Sequence, residues 1–336
     1  MTGAPRKAAR AIVLAYHDVG VRCLQVLLDA GVEIGLVVTH PDAAGETIWF
    51  QSVAALAAEQ GLRCVTPADA EAAHDPALIE AARACAPDFL FSFYFRHMLR
   101  PEWLALPRRG AFNMHGSLLP RYRGRVPVNW AIIHGERETG ATLHRMTAKP
   151  DNGAIVDQCA VPILRNDTAR EVFAKVTVAA ETVLARSLPR LIDGSAVEHA
   201  QDLSQGAYFG GRKPEDGRIP ADADACRIHN LVRALAPPYP CAFIDTPAGR
   251  ILIERTLPVP SAPADLAAPT HATAAAATAA PFPGFGLRLC SQDGALWLVA
   301  ADGSGLRVLA ARHADRPLGA CELEALAPGR WLSANA

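Results

Sequence analysis

The chain has 336 residues; half are hydrophobic, one fifth are charged, and the formal net charge is −1. With 33 basic residues against 34 acidic ones, no long-range field favours nucleic acid or an anionic membrane as a partner. No apolar run approaches the roughly 18 residues of a membrane span, and the N-terminal segment lacks the pattern of a secretory signal. The composition therefore predicts a cytoplasmic protein without membrane insertion.

The eight cysteines are scattered and include no CxxC pair and no Cys/His cluster. Structural zinc sites and disulfide frameworks both need closely spaced or patterned cysteines. We therefore expect reduced thiols and no metal site.

The first half of the chain alternates short apolar runs with segments of helical spacing. The predicted strands are 11–16, 33–39, 62–66 and 89–95, and the predicted helices are 20–31, 47–61 and 75–86. Continuous apolar strands separated by amphipathic helices are typical of a mostly parallel sheet covered on both faces. The pattern predicts an α/β domain with a doubly wound, Rossmann-like sheet. The first strand is followed by "AYHDVGVRCL" and not by GxGxxG, so a dinucleotide-binding function loses its main support.

The second half of the chain is different. After a strand over 154–163 and one long helix over 168–194, the sequence becomes turn-rich from about residue 216, with short apolar runs such as "GRILIERT" and "ALWLVA". This predicts a small β-barrel-like (OB-like) C-terminal domain. The expected organisation is a catalytic domain over residues 1–195, a linker over 196–215 and a C-terminal domain over 216–336. Within the C-terminal domain, an Ala/Pro-rich surface insertion is expected at about 261–284.

Three polar residues around the end of a predicted strand suggest chemistry. "FNMHGSLLP" places Asn113 and His115 on alternate positions, and "KPDNGAIV" places Asp151 in a turn. An amide can donate to an oxyanion, an imidazole can accept the proton of an attacking amine, and a carboxylate can orient that imidazole and favour its protonated form. These are the groups that acyl transfer to an amine requires. Short polar residues also end strands, and Pro-Asp-Asn-Gly is a natural turn, so the three residues alone leave a structural interpretation open.

The segment 112–158, "FNMHGSLLPRYRGRVPVNWAIIHGERETGATLHRMTAKPDNGAIVDQ", resembles the signature of the 10-formyltetrahydrofolate-dependent formyltransferases. That signature is Asn-x-His with SLLP, a basic turn, PxxW or PxxR, GxxxTGxT and a late DxG, and all occur here in order. The resemblance implies a formyltransferase that uses 10-formyltetrahydrofolate as formyl donor and needs no metal. It implies Asn113 as the oxyanion stabiliser, His115 as the acid/base and Asp151 as the carboxylate that favours protonation of His115.

The resemblance also implies which residues contact the folate. They fall on a loop after the fourth strand, on the basic turn and on the segment before the DxG, namely His97, Met98, Leu99, Arg125, Thr147, Ala148, Lys149, Pro150 and Asp151. His97 could equally begin a helix. Arg121 and Arg123, with Arg125, form the densest basic cluster, "RYRGR". We expect Arg121 and Arg123 to contact an anion, either the folate tail or the pyrophosphate of a nucleotide-sugar, and the alternative is a solvated loop.

Within the family, the segments "AYHDVG", "THPDAAGE", "PDFLFSFYFRHML" and "FGGRKPEDG" resemble one branch over about residues 10–255. That branch is the formyltransferase half of the bifunctional polymyxin-resistance enzymes, which act on UDP-4-amino-4-deoxy-L-arabinose for lipid A modification. The decarboxylase half of those enzymes has no counterpart in this sequence, so we expect a stand-alone formyltransferase. The implied partners are two small molecules, the folate and a nucleotide-linked aminosugar.

Three alternatives compete with this acceptor. Relatives formylate other UDP- or dTDP-aminosugars, and the sequence leaves the sugar open. A methionyl-tRNA formyltransferase would carry a basic loop after the second strand, but residues 39–57 contain no Lys or Arg and carry Asp42 and Glu46. A non-catalytic folate- or nucleotide-binding protein would have a damaged triad, whereas all three polar residues are present. The aminosugar hypothesis is therefore preferred.

Overall fold

The structure is a computed structural model that describes residues 8–42, 45–259, 266, 287–300, 302–326 and 331–333. Apart from Leu266, the Ala/Pro-rich insertion predicted at about 261–284 lies outside the described residues. The chain divides into two compact units. The first unit contains the described residues of Met1–Val128, Glu138–Pro162 and Val172–Gly211. The second unit contains the described residues of Asn129–Arg137, Ile163–Glu171 and Arg212–Ala336. The predicted domain limits near residues 195 and 216 stay predictions.

The elements are numbered here in chain order. The strands are β1 Arg10–Ala15, β2 Glu33–Val38, β3 Cys64–Val65, β4 Phe89–Phe93, β5 Gly110–His115, β6 Arg123–Gly124, β7 Glu138–Arg145, β8 Ile155–Pro162, β9 Tyr208–Phe209, β10 Ala242–Thr246, β11 Gly249–Pro258, β12 Arg288–Gln292, β13 Ala295–Val299, β14 Gly305–His313, β15 Arg316–Pro317 and β16 Trp331–Ser333. The α-helices are α1 His17–Asp29, α2 Val53–Glu59, α3 Pro76–Ala84, α4 Pro101–Leu104, α5 Pro127–Ile133, α6 Ala169–Asp193, α7 Ala225–Leu235 and α8 Ala320–Leu326.

The main sheet of the first unit has the strand order β3-β2-β1-β4-β5-β7-β8. The first five strands run parallel to one another, and β7 and β8 are antiparallel to their neighbours. All five residues of β4 are buried, as are five of the six residues of β1, which explains why these strands are continuous apolar runs. The predicted Rossmann-like, mostly parallel sheet is confirmed.

The central strands of this sheet end level with one another. Ala15 on β1 pairs with Phe93 on β4, and Phe93 pairs with Met114 on β5. The residues that follow all three strands therefore share the carboxyl edge, where ligands bind in open α/β sheets. Strand β4 ends two residues before the predicted limit because Tyr94 takes a positive φ of 59°, which a continuing strand does not allow.

The prediction of a helix over 47–61 is wrong in its first half. Helix α2 begins only at Val53, where the Ser52 hydroxyl accepts a hydrogen bond from the Ala55 N–H at 3.2 Å. The Gln51 N–H donates to the Asp18 carboxylate at 2.9 Å, so the preceding backbone is tied to α1 instead of forming a helical turn. Trp49 and Phe50 consequently lie in a non-helical segment.

The second unit contains an antiparallel sheet with the order β10-β11-β14-β13-β12-β16, and β15 pairs with β14. It is a curled half-barrel whose core includes the fully buried Ile228, Ile251, Ile253 and Leu289. The predicted barrel-like C-terminal fold is confirmed. Helix α7 was not expected in this turn-rich region; it forms because the Asp224 side chain accepts the Arg227 N–H at 2.8 Å and apolar residues recur at helical spacing behind it.

The predicted linker over 196–215 contains regular structure. Strand β9 pairs in parallel with β6, and a short 3₁₀ helix precedes it at Leu203–Gln205. None of the helices in the described ranges combines the length and apolarity that a bilayer-crossing segment needs.

Candidate active site

The candidate site begins at the end of β5, where Asn113 and His115 occupy alternate positions and so point to the same face of the sheet. Strand β7 lies beside β5 in antiparallel register, with His144 opposite Asn113 and Thr142 opposite His115. Both histidines are buried. The register therefore brings a second imidazole next to the predicted pair.

Asp151 joins this group from the turn after β7. Its φ of 54° bends the Pro-Asp-Asn-Gly segment back, so its Oδ1 lies 3.6 Å from His115 Nδ1 and 3.5 Å from His144 Nε2. Its Oδ2 accepts the Gly124 N–H at 2.8 Å. The residue at position 124 must be glycine, because φ is 99° and a Cβ would lie 2.2 Å from the Phe209 carbonyl oxygen. Asp151 is thus a turn residue and also the centre of the polar cluster.

The Asp151 carboxylate is held in its ionised form. Burial opposes ionisation, but the adjacent His115, the contact with His144 and the Gly124 N–H outweigh burial and keep the pKa of Asp151 well below its usual range. The site therefore contains a permanent negative charge flanked by two imidazoles.

Both nitrogens of His115 face acceptors. Nε2 donates to the Tyr122 carbonyl at 2.8 Å, and Nδ1 faces Asp151. The loop that carries Tyr122 is fixed in turn, since the Ser117 hydroxyl donates to the Arg121 carbonyl at 2.6 Å and the Thr142 hydroxyl donates to the Ser117 carbonyl at 2.6 Å. The Ser-Leu-Leu-Pro segment therefore positions the carbonyl that orients the His115 ring.

His144 was missed in the sequence. Its Nδ1 donates to the Arg145 carbonyl at 2.9 Å, and in the neutral ring its Nε2 accepts a hydrogen from Asn113 Nδ2 at 3.2 Å. With one amide hydrogen held in this way, the other hydrogen of the Asn113 NH2 can point at a substrate oxygen. A second proton on the ring would instead point at Asp151 and turn the amide away. The only signal in the sequence is a histidine inside an apolar strand, whose register against β5 cannot be known beforehand.

The residues predicted to contact folate lie on several loops. His97 and Met98 lie in the loop after β4, where Met98 is 58 % exposed and His97 is half-buried, and Leu99 is buried. His97 does not begin a helix, because α4 starts at Pro101. Burial lowers the pKa of His97, and the neighbouring His74 and the charge of Arg125 lower it further.

The remaining predicted folate residues, 147–150, form an exposed to half-exposed turn in which the Thr147 hydroxyl donates to the Lys149 carbonyl at 2.9 Å. This turn leads directly into Asp151. The backbone of the predicted folate segment is therefore continuous with the polar cluster.

The arginines of the basic turn have different environments. The Arg123 guanidinium donates to the Asn152 side chain at 3.0 Å and to the carbonyls of Leu203 and Gly206 at 3.2 and 2.9 Å. It is therefore used to hold the segment before β9. Arg121 is half-buried and lies over the Tyr122 ring, and Arg125 is exposed. Within the described ranges, no group of three or more His, Cys, Asp and Glu side chains is arranged to hold a metal ion.

Comparison with known proteins gives two family matches and several structural ones. A family model described as "Formyl transferase" matches residues 17–188, and one described as "Formyl transferase, C-terminal domain" matches residues 212–318. Because the first of these covers half of the chain, the protein belongs to the formyl transferase family. It is a formyltransferase enzyme.

Solved structures of similar fold include the sugar 3N-formyl transferase WlaRD, determined in the presence of dTDP and 5-N-formyl-THF (TM-score 0.63, 20 % identity, 90 % of this chain and 98 % of that chain). An N-formyltransferase from Helicobacter canadensis, in complex with folinic acid and dTDP-3-aminofucose, has a TM-score of 0.63 at 20 % identity and covers 89 % of this chain and 98 % of its own. Methionyl-tRNA formyltransferase from Clostridium thermocellum has a TM-score of 0.52 at 18 % identity, over 74 % of this chain and 93 % of its own. At these identities the likeness establishes the shared fold.

Proposed function

We propose that the enzyme transfers the formyl group of 10-formyltetrahydrofolate to the amine of a nucleotide-linked aminosugar. The observation that carries this proposal is the arrangement of Asp151 between His115 and His144, with Asn113 bonded to His144, at the carboxyl end of β5. These groups are the ones that formyl transfer to an amine uses, and they lie at the edge of the sheet where ligands bind.

The proposed reaction has two steps. The neutral amine attacks the formyl carbon, a C–N bond forms, and the carbonyl oxygen becomes an oxyanion that the free hydrogen of Asn113 Nδ2 stabilises. His115 takes the proton from the attacking nitrogen on Nδ1, because Nε2 carries the hydrogen that is bonded to the Tyr122 carbonyl, and delivers it to the folate nitrogen as the old C–N bond breaks. Asp151 stabilises the positive charge on His115 between these two transfers. Holding both substrates together supplies much of the remaining acceleration.

Two kinds of support favour folate as the donor. The sequence resemblance implies three folate-contacting segments. In the structure they are the loop over His97, Met98 and Leu99, the residue Arg125 and the turn 147–151. Relatives of the same fold have been solved with 5-N-formyl-THF and with folinic acid. We propose that the folate binds on the side of the polar cluster where these three segments lie. Arg121 and Arg125 are the proposed anion contacts of the basic turn, and Arg123 holds the segment before β9.

The acceptor is proposed from charge and from the sequence resemblance. The loop after β2 carries no basic residue, and its two carboxylates have partners inside the protein: Asp42 accepts the Tyr16 hydroxyl at 2.9 Å, and Glu46 pairs with Arg96 at 2.5 Å. Such a loop offers nothing to the phosphates of a tRNA. UDP-4-amino-4-deoxy-L-arabinose, for lipid A modification and polymyxin resistance, is the acceptor that the sequence resemblance favours. A dTDP-aminosugar is the second candidate, since dTDP or dTDP-3-aminofucose accompanies two of the similar structures.

The cellular location is part of the same proposal. All eight cysteines are free, as a reducing compartment keeps them. We place the reaction in the cytoplasm.

The test is a comparison of acceptors. Purified enzyme with 10-formyltetrahydrofolate is given UDP-4-amino-4-deoxy-L-arabinose, a dTDP-aminosugar or methionyl-tRNA, and kcat/KM is measured for each from the formylated product. The proposal predicts the highest kcat/KM for the UDP-sugar and almost none for methionyl-tRNA. A preference for the dTDP-sugar would keep the chemistry and change the pathway, and a preference for methionyl-tRNA would refute the proposed acceptor class.

A further inference from the structure

A cluster of five rings lies at the same edge of the sheet as the polar cluster. His17, directly after β1, stacks on Phe50 with ring centroids 3.9 Å apart and an interplanar angle of 27°. Trp49 and Phe173 pack edge-on against His17, with ring centroids 4.6 and 4.4 Å from its own, and the Tyr94 centroid lies 6.4 Å away. Trp49, Phe50 and Tyr94 are only half-buried. The cluster therefore has aromatic side chains that a ligand can reach.

The His17 ring presents a hydrogen-bond donor. The Asp18 N–H donates to Nδ1 at 2.9 Å, so in the neutral ring the proton is on Nε2. Burial, aided by the charge of Arg96, lowers the pKa of His17 to about 3, so the ring is neutral at physiological pH. His17 is 8 % exposed, and no hydrogen bond from Nε2 to any residue in the described ranges is present. Nε2 itself is not fully buried, so an acceptor on a ligand can reach its hydrogen and bond to it.

The chain is built to hold the ring in this place. His17 has a φ of 68°, a left-handed conformation that costs free energy for a residue with a Cβ and that often marks functional sites. The bond from the Gln51 N–H to Asp18 ties the Trp49–Phe50 segment over the ring.

The five-ring cluster is next to the proposed catalytic residues. Strands β1, β4 and β5 are neighbours that end level, and two strand spacings place His17 about 10 Å from His115 across the sheet. Tyr94 bridges this distance, because a Cβ on Gly116 would lie only 2.0 Å from the Tyr94 hydroxyl oxygen. A group held by His17 would therefore lie at the same sheet edge, about 10 Å from the proposed catalytic residues.

We infer that His17, Trp49, Phe50 and Tyr94 form the subsite for the amine-bearing sugar ring of the acceptor. This inference rests on the proposed function. The apolar face of a pyranose packs on aromatic rings, and a hydroxyl or ring oxygen accepts the His17 Nε2 hydrogen. The sugar fits better here than the nucleobase, because the base is separated from the reacting amine by a ribose and two phosphates.

The experiment uses His17→Phe, which keeps an aromatic ring and removes the donor, and the aminosugar nucleotide that the wild-type enzyme formylates best. The subsite predicts that KM for that acceptor rises roughly tenfold, while KM for 10-formyltetrahydrofolate and the Kd of the bare nucleotide, UDP or dTDP, stay unchanged. His17→Gln, which again offers a side-chain N–H, should recover part of the loss. His313→Phe is the matched control; it replaces a histidine that bonds the Ala248 carbonyl in the other unit and should leave both KM values unchanged.

The outcomes are distinguishable. An unchanged acceptor KM for a folded His17→Phe enzyme overturns the subsite, as does a rise confined to the folate KM. An equal loss of bare-nucleotide affinity would assign the cluster to the base. If His17→Phe does not fold, Trp49→Leu on the half-buried wall must raise the acceptor KM severalfold, or the inference fails. Failure of the wild-type enzyme to formylate any aminosugar nucleotide would refute the proposed function.

Discussion

Asp151→Asn is the substitution that separates the catalytic interpretation of the polar cluster from the structural one. The side chain keeps its size and its ability to accept the Gly124 N–H, but it loses the charge between the two imidazoles. The turn can therefore still form. Under the proposed mechanism, the positive charge that develops on His115 loses its counter-charge.

The geometry sets the size of the effect. Two unit charges about 4 Å apart interact by about 4 kcal/mol at an effective dielectric constant of 20, and Asp151 Oδ1 lies 3.6 Å from His115 Nδ1. At 1.36 kcal/mol per factor of ten, the full interaction is worth up to about a thousandfold in rate. His144 shares the same carboxylate oxygen, which reduces the part that His115 receives. We therefore expect kcat to fall by about 10²–10³, and the folate Kd to change by much less, because Asp151 is also among the proposed folate contacts.

The assay is steady-state formation of the formylated sugar nucleotide, with folate binding measured separately. Asp157→Asn is the matched control, since that carboxylate is also paired, with Arg186, and the pKa of Asp157 is also lowered. It should reduce stability and leave kcat unchanged. If Asp151→Asn retained kcat within threefold of wild type, the carboxylate would be a turn residue only, and the charge argument would be refuted.

The remaining predictions concern positioning, pH and stability. His144→Phe should lower kcat about 10- to 100-fold at unchanged KM, because the Asn113 amide loses its hydrogen-bond partner. His144→Gln should recover part of kcat, because the glutamine carbonyl can accept the amide hydrogen. Equal losses of kcat in both variants would contradict a positioning role for His144. Because the pKa of His17 falls from its ordinary 6.5 to about 3 on folding, the unfolded chain binds the extra proton between these pH values, so stability should fall as pH drops below about 6.5. Between pH 7.5 and pH 5, the free energy of unfolding measured with denaturant should fall by about 2 kcal/mol more for wild type than for His17→Phe. Equal decreases in the two proteins would refute the lowered pKa of His17. Arg123→Ala should lower Tm by about 5 °C through loss of its bonds to Leu203 and Gly206, with no change in Tm counting against this structural role.

The fold could be predicted from the sequence because its central strands are buried on both faces and so appear as unbroken apolar runs. Helix α2 could not be placed correctly, because its start depends on a bond between Gln51 and Asp18, residues far apart in the chain. Helix α7 was missed because the many turn residues on both sides of it predicted short strands and loops, although its own apolar residues have helical spacing. Local propensity decides elements whose partners are close in sequence, and tertiary contacts decide the others.

Some residues of the candidate site could likewise be predicted from the sequence, and others could not. Asn113, His115 and Asp151 could be named from the order of motifs along the chain. His144 and His17 could not, because their importance depends on strand register: β7 places one beside Asn113, and the level ends of β1 and β4 place the other beside Tyr94. A histidine inside an apolar strand, or one after it, carries no such information in the sequence.

The central claim is that the polar cluster at the end of β5 performs formyl transfer, and His115→Ala tests it most directly. Turnover with 10-formyltetrahydrofolate and UDP-4-amino-4-deoxy-L-arabinose, or the aminosugar nucleotide that wild type prefers, should fall by at least about 10², while the Kd of the folate stays at the wild-type value. A folded His115→Ala enzyme with near wild-type turnover would contradict the account.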